Sequence, residues 1–133
     1  MRIFIYKFIL WVIVTLVTLG IAKTTWSGQH VECDLMPTIE YFVNCEVYNT
    51  WGYGETGAFK AIITRESGWN SEAQNPKSTA YGLMQFLSST WKIVDCEKTS
   101  DAYEQVRCGI KYVEKVYSTP SKALAHHHKF NWY

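Results

Sequence analysis

The sequence is most informative first in what it lacks. It has no block of basic residues: 13 Lys and Arg face 12 Asp and Glu, for a formal charge of +1. Two of those cations, Arg2 and Lys7, belong to the N-terminal segment, and the remainder is near-neutral. Counterion release from a phosphate backbone needs a concentrated positive face, so nucleic acid is excluded as a partner. No two cysteines form a C-x-x-C pair, which removes the zinc-ribbon and thioredoxin-type readings. The three adjacent histidines, His126–His128, lack the three- or four-residue spacing that would put them on one helix face, so no metal site is expected. Internal repeats and low-complexity tracts are absent. What is present is a chain of 133 residues, 47% of them apolar, enough for one packed domain. The 21 aromatic residues serve core packing first, and sugar stacking only where other signals concur.

The N-terminus carries an export signal. Arg2 and Lys7 flank residues 3–6, and an uncharged, mostly apolar run occupies 8–22. The run is the length of a signal-peptide core and short for a bilayer span. Gly20 and Ala22 place small residues where a signal peptidase reads. Residues 1–22 are therefore a signal peptide or, uncleaved, a membrane anchor. Either outcome puts 23–133 outside the cytoplasm. Residues 23–32 read as a connector and 33–133 as the domain. An even cysteine count in a small exported domain implies two disulfides. Three pairings of Cys33, Cys45, Cys96 and Cys108 are possible. Cys33–Cys45 with Cys96–Cys108 is preferred because each closes a short local loop.

The periodicity is helical. Leu35, Ile39, Phe42 and Val43 mark a helix over about 34–44, and 48–57 reads as a Gly- and aromatic-rich loop. Phe59, Ile62 and Ile63 form the buried stripe of a helix over 58–67, ended by Gly68. Residues 70–80 read as loop or irregular hairpin. Two short helices are expected at 81–86 and 88–94, the second capped by Ser88 or Ser89. Asp101 and Glu104 form a capping-box-like start to a long helix reaching Tyr117. Ser121 is the expected cap of a final helix over 122–129. The fold class is mostly α.

Glu66 sits in the last turn of its helix, where the helix dipole disfavours a negative charge. A carboxyl there is best tolerated if it is protonated or functional. Around it the chain reads Arg65-Glu66-Ser67-Gly68-Trp69-Asn70, then Ala73, Asn75, Ser78 and Ala80-Tyr81-Gly82-Leu83-Met84-Gln85-Phe86, with Trp91 beyond. Ala123, Ala125, His126, Trp132 and Tyr133 close the sequence. This ordered set resembles the lytic transglycosylases of the soluble-transglycosylase, goose-lysozyme-like family, over about 59–133. Glu-Ser and Gly-Leu-Met-Gln are two of that family's motifs, and the ending matches some members.

The resemblance implies a lysozyme-like fold with helices around a glycan-binding groove. It implies cleavage of the β-1,4 bond from N-acetylmuramic acid to N-acetylglucosamine in peptidoglycan, with a 1,6-anhydro product. Glu66 is then the single acid/base, and neither cofactor nor metal is needed. Leu83, Met84 and Phe86 are candidates for an apolar wall that raises its pKa. Ser67, Asn75, Ser78, Tyr81, Gly82, Met84, Gln85, His126, Trp132 and Tyr133 are the expected substrate-binding residues. Gln85 would hold an N-acetyl group through its amide, and Gly82 would let backbone approach sugar. His127 and His128 fall outside the pattern. The Ala-Tyr-Asn-Ala-Gly block of other transglycosylases is missing, so the far wall of the groove has no assigned residues. A hydrolase would want a second carboxylate, for which Glu72 is the nearest candidate, with Asp95 and Asp101 more distant.

Overall fold

The first helix, α1, covers Ile39–Trp51, starting later and running further than the apolar spacing predicts. Pro37 explains the late start, because a proline disfavours helical backbone in the residue before it. Thr38 then caps the helix through its hydroxyl, which accepts the Tyr41 N–H. Leu35, expected on the buried face, is left 81% exposed. The far end holds until Gly52, whose φ of 88° stops it. Residues 48–51, read as loop, are thus the last turn of α1.

This is a computed structural model that describes residues 30–132. The export segment 1–22, most of the connector and Tyr133 lie outside the described residues. A short 3-10 turn, Tyr53–Glu55, leads into α2, Thr56–Ser67. Phe59, Ile62 and Ile63 are completely buried along α2, as their spacing predicts. Gly68 closes it in the left-handed region, φ 57°, with its N–H on the Thr64 carbonyl.

Residues 70–87 are loop, organised by their own side chains. Asn70, Asn75 and Ser78 accept backbone N–H groups two residues ahead. The segment 81–86 is a turn and not the expected helix. Gly82 and Gln85 both have positive φ, which no helix accommodates. Tyr81 and Phe86 close the turn by exchanging N–H···O bonds of 3.1 Å each. Among the described residues β pairing is confined to two isolated bridges, Gln74–Tyr81 and Tyr81–Phe86.

Helix α3 is Ser88–Ile93. Neither Ser88 nor Ser89 caps it, because Ser88 is already helical. The Thr79 hydroxyl accepts the Ser88 N–H from across the loop instead. Helix α4, Ala102–Tyr117, starts as expected at Asp101, whose carboxylate accepts the Tyr103 and Glu104 N–H groups. The reciprocal half of a capping box is supplied by Thr99, which accepts the Asp101 N–H. Glu104 pairs with Arg107. Helix α5, Pro120–Phe130, is capped by Thr119 rather than Ser121, with Pro120 in the first turn, where its missing N–H costs nothing.

One apolar cluster joins all five helices. Helix α2 packs on α1 and α5, and α4 packs on α1, α3 and α5. Both preferred disulfides are present. Cys33–Cys45 ties the start of the domain to α1, and Cys96–Cys108 ties the α3–α4 connection to α4. Each closes a loop with a sequence separation of 12, a constraint that removes about 3 kcal/mol of unfolded-chain entropy. Among the described residues no helix is long and apolar enough to cross a membrane.

Candidate active site

Glu66 follows Phe59, Ile62 and Ile63 at helical spacing, so it continues the buried stripe of α2. On α5, Pro120 and Ala123 are buried, and His127 comes next on the same face. The two stripes face each other because the start of α5 is held by three polar ties. The Trp51 indole N–H donates to the Ser118 carbonyl at 2.7 Å, the Ser121 N–H donates to Glu55 Oε2 at 2.7 Å, and Thr119 caps the first turn. Where the stripes run out, Glu66 Oε1 and His127 Nε2 lie 2.9 Å apart. Their side chains are 18% and 12% exposed.

A cleft of about 280 Å³ opens beside this pair. Met84, Gln85, Phe86 and Leu87 line one side with Glu66, while Thr90, Tyr112, Asn131 and Trp132 complete the wall. Met84 and Phe86 are the apolar neighbours expected of a general acid. Leu83, the third candidate, points into the core and is completely buried. Burial pushes the Glu66 carboxyl above its ordinary value, and His127 opposes the shift through its charge and hydrogen bond. Tyr112, which also lines the cleft, has its phenol pushed up by burial.

The Gly-Leu-Met-Gln turn is built by packing against α4. A Cβ on Gly82 would meet the Gln105 carboxamide at 2.6 Å. The close approach that requires glycine here is therefore to Gln105, within the protein, and not the expected approach to sugar. Met84 lies across Gly109, where a Cβ would come within 3.0 Å of its methyl. Gln85 lines the cleft, but its amide nitrogen is engaged, donating to the Ala73 and Gly82 carbonyls at 3.0 Å each. Its amide oxygen is the group left for a ligand.

Of the expected site residues, the structure brings Glu66, Met84, Gln85 and Trp132 to one cleft. Ser67, Asn75, Ser78, Tyr81, Gly82 and His126 do not line it. The Ser67 hydroxyl donates to the Ile63 carbonyl and finishes the helix end. Asn75 and Ser78 shape their own loop, and the Tyr81 ring lies 4.3 Å from the Lys98 ammonium. His126 packs against Tyr117, Phe130 and Trp132, with Nδ1 2.9 Å from the Trp132 carbonyl. Glu72, Asp95 and Asp101 are exposed and absent from the cleft. Among the described residues no cluster of His, Cys, Asp or Glu is placed to hold a metal ion.

Sequence reasoning missed His127, Gln105 and Tyr112, while Asn131 stands where the family often has Gly, a place for which a left-handed backbone was expected. A signal for His127 was available, since it lies seven residues after Pro120 and four after Ala123, in phase with both, whereas His126 is in phase with Ala123 alone. Asn131, φ 59°, ends α5 in the left-handed region with its N–H on the His127 carbonyl at 2.7 Å.

No curated protein and no solved structure matches the chain. The family model of the transglycosylase SLT domain does match, over residues 49–129. That stretch runs from the last turn of α1 almost to the end of α5 and contains every residue lining the Glu66 cleft except Asn131 and Trp132. With more than half of the sequence inside the match, and a helical domain with two disulfides around the cleft, the chain belongs to the transglycosylase SLT domain family and has its lysozyme-like fold.

Proposed function

We propose that the protein is an exported lytic transglycosylase of peptidoglycan, with Glu66 as its only catalytic acid/base. The observation that carries this reading is a single carboxyl, largely buried and pushed toward its protonated form, in a cleft whose described lining includes Met84 and Phe86 but no second carboxylate. Two-carboxylate glycosidases place their pair about 5–9.5 Å apart, and Glu72 stays exposed in the loop beyond α2.

In the proposed reaction, protonated Glu66 gives its proton to the glycosidic oxygen between N-acetylmuramic acid and N-acetylglucosamine. The bond to the anomeric carbon breaks and the N-acetylglucosamine side leaves as an alcohol. Glu66, now a carboxylate, takes the proton of the muramic 6-hydroxyl. That oxygen attacks the anomeric carbon and closes the 1,6-anhydro ring, which returns the acid to its starting state. The nucleophile belongs to the substrate, so its effective concentration is high and no water need be positioned. Trp132, 59% exposed at the rim, offers an indole face to a sugar ring. The Gln85 amide oxygen offers an acceptor to an N-acetyl N–H.

The substrate lies outside the cytoplasm, in keeping with the apolar run at 8–22 and the two disulfides. The test is mass spectrometry of peptidoglycan digested by the chain with and without residues 1–22. Anhydro-muropeptides, each lighter by one water than a hydrolysed product, are expected. Reducing ends alone would replace the reading with a muramidase, and binding without cleavage would replace it with a glycan-binding protein.

A further inference from the structure

The ring of His127 occupies one oxygen of Glu66 and leaves the other. Nε2 sits 2.9 Å from Oε1, and among the described residues Oε2 takes no hydrogen bond. We propose that His127 is the positioning residue of Glu66, holding Oε1 so that the transferable proton resides on Oε2 and faces the glycan. This rests on the reading of Glu66 as the acid.

The placement is built into α5. His127 continues the Pro120–Ala123 stripe, its carbonyl is held by the Asn131 N–H, and the helix start is fixed by Trp51, Glu55 and Thr119. A carboxylic acid has one acceptor oxygen and one hydroxyl. A neutral imidazole donating from Nε2 to Oε1 makes that oxygen the acceptor and leaves the hydroxyl at Oε2. The same N–H stabilises the carboxylate formed once the proton has gone to the leaving group. Burial raises the Glu66 pKa and His127 lowers it, so the contact tempers the effect of burial.

The titratable groups around the pair are few. Glu66 and the exposed Arg65 come from α2, Tyr112 and Tyr117 from α4, and His126 with the exposed His128 and Lys129 from α5. The 82–86 turn contributes none. Among the described residues no other carboxylate or cation lines the cleft.

The experiment uses the full chain and two variants, with E66Q as reference. His127→Leu removes the donor. His127→Gln keeps a neutral N–H donor but cannot titrate. For His127→Leu, kcat for glycan cleavage should fall about 10–100-fold, the scale of a misplaced reacting group, while KM stays within about twofold. Its basic limb should move to higher pH. His127→Gln, which keeps the donor, should recover most of the lost kcat at neutral pH. A carbon NMR titration of the Glu66 carboxyl, without substrate, supplies a measurement free of catalysis: the midpoint should be higher in His127→Leu than in wild type. An unchanged midpoint, a wild-type pH profile in His127→Leu, or a His127→Gln no more active than His127→Leu overturns the proposal. Undiminished cleavage by E66Q would instead overturn the assignment of Glu66 as the acid, and the NMR comparison would still report on the pair.

Discussion

Gly82 and Gln105 share a volume that admits no Cβ: one built on Gly82 would fall 2.6 Å from the Gln105 carboxamide. Gln105 is 1% exposed, and it spends its amide on three separate segments. Its Oε1 accepts the Leu83 N–H at 2.7 Å, and its Nε2 donates to the Ser71 and Thr99 carbonyls at 2.8 and 2.6 Å. The residue on α4 thus holds the motif turn, the loop after α2 and the approach to α4 in one register. Met84 and Gln85 reach the cleft because the turn between them and Gly82 is anchored this way.

Gln105→Leu keeps the side-chain bulk but strands those three backbone groups. A buried polar group left unpaired costs about 1–3 kcal/mol, and backbone movement or water will satisfy part of the loss. The expected destabilisation is about 3 kcal/mol, read from urea unfolding midpoints at constant m. Gly82→Ala should be of similar severity, since it adds a clash to a strained positive φ. The double variant Gly82→Ala with Gln105→Ala should be less damaged than the sum of the single changes, because truncating Gln105 removes the clash. Additive losses would show that the two residues do not constrain each other.

Glu66→Gln should retain the fold and glycan binding and lose at least about 10²–10⁴-fold in cleavage, the range of general acid–base contributions. Gln matches Glu in size and can still meet His127, but it cannot hand over and recover a proton. Glu72→Gln is the matched control. It changes an exposed carboxylate outside the cleft, so turnover should be near wild type. A comparable collapse in Glu72→Gln would move the mechanism to two carboxylates.

Helix identity was legible wherever a buried stripe was long. Phe59, Ile62 and Ile63 gave α2, and the run from Ala102 to Tyr117 gave α4, because a period near 3.6 has no other packed solution. Both disulfides followed from loop length. Starts and stops were less legible. Pro37 delayed α1, and the cap of α3 came from Thr79, nine residues away in sequence from the Ser88 N–H it accepts. The turn at 81–86 looked helical by composition because nothing in Gln85 announces a positive φ, which tertiary bonds to Ala73 and Gly82 impose. Glu66 was legible through its dipole-opposed position and its motif. His127 was passed over in favour of His126 because motif matching outweighed helical phase. The two rings have separate surroundings: His127 meets the Glu66 carboxyl, and His126 packs on Trp132, whose carbonyl lies 2.9 Å from its Nδ1.

That separation has a kinetic signature. Trp132→Ala should raise KM for glycan strands several-fold with little change in kcat, because a rim stacking contact binds ground state and transition state alike. One base–aromatic or ring-stacking contact is of the order of 1 kcal/mol. His126→Ala releases the Trp132 carbonyl and three ring contacts, so it should approach the Trp132→Ala phenotype without touching the Glu66 pair. A His126→Ala variant with a shifted pH profile and unchanged KM would contradict this assignment.

The raised Glu66 pKa has a consequence for stability that is separate from turnover. Burial lifts the folded-state value above the ordinary 4.5, more than His127 lowers it. Between 4.5 and the folded value, the folded protein binds more protons at this carboxyl than the unfolded chain does. Stability must then fall as pH rises through that window, since its slope follows the difference in protons bound by unfolded and folded states. Below 4.5 the carboxyl is largely protonated in both states and the term disappears. Glu66→Gln cannot ionise and escapes the loss. The variant should therefore be more stable than wild type at neutral pH, with the gap closing as pH falls to the ordinary carboxyl range. Thermal melts of both proteins across that range measure it, and the slope of the difference reports on Glu66 together with its contact to His127, every more distant titrating group being shared. A melting difference that stays constant with pH would mean that the carboxyl is not raised. A difference of opposite sign at neutral pH would mean that His127 outweighs burial and holds Glu66 ionised, and the cleft would then contain no acid ready to protonate a glycosidic oxygen.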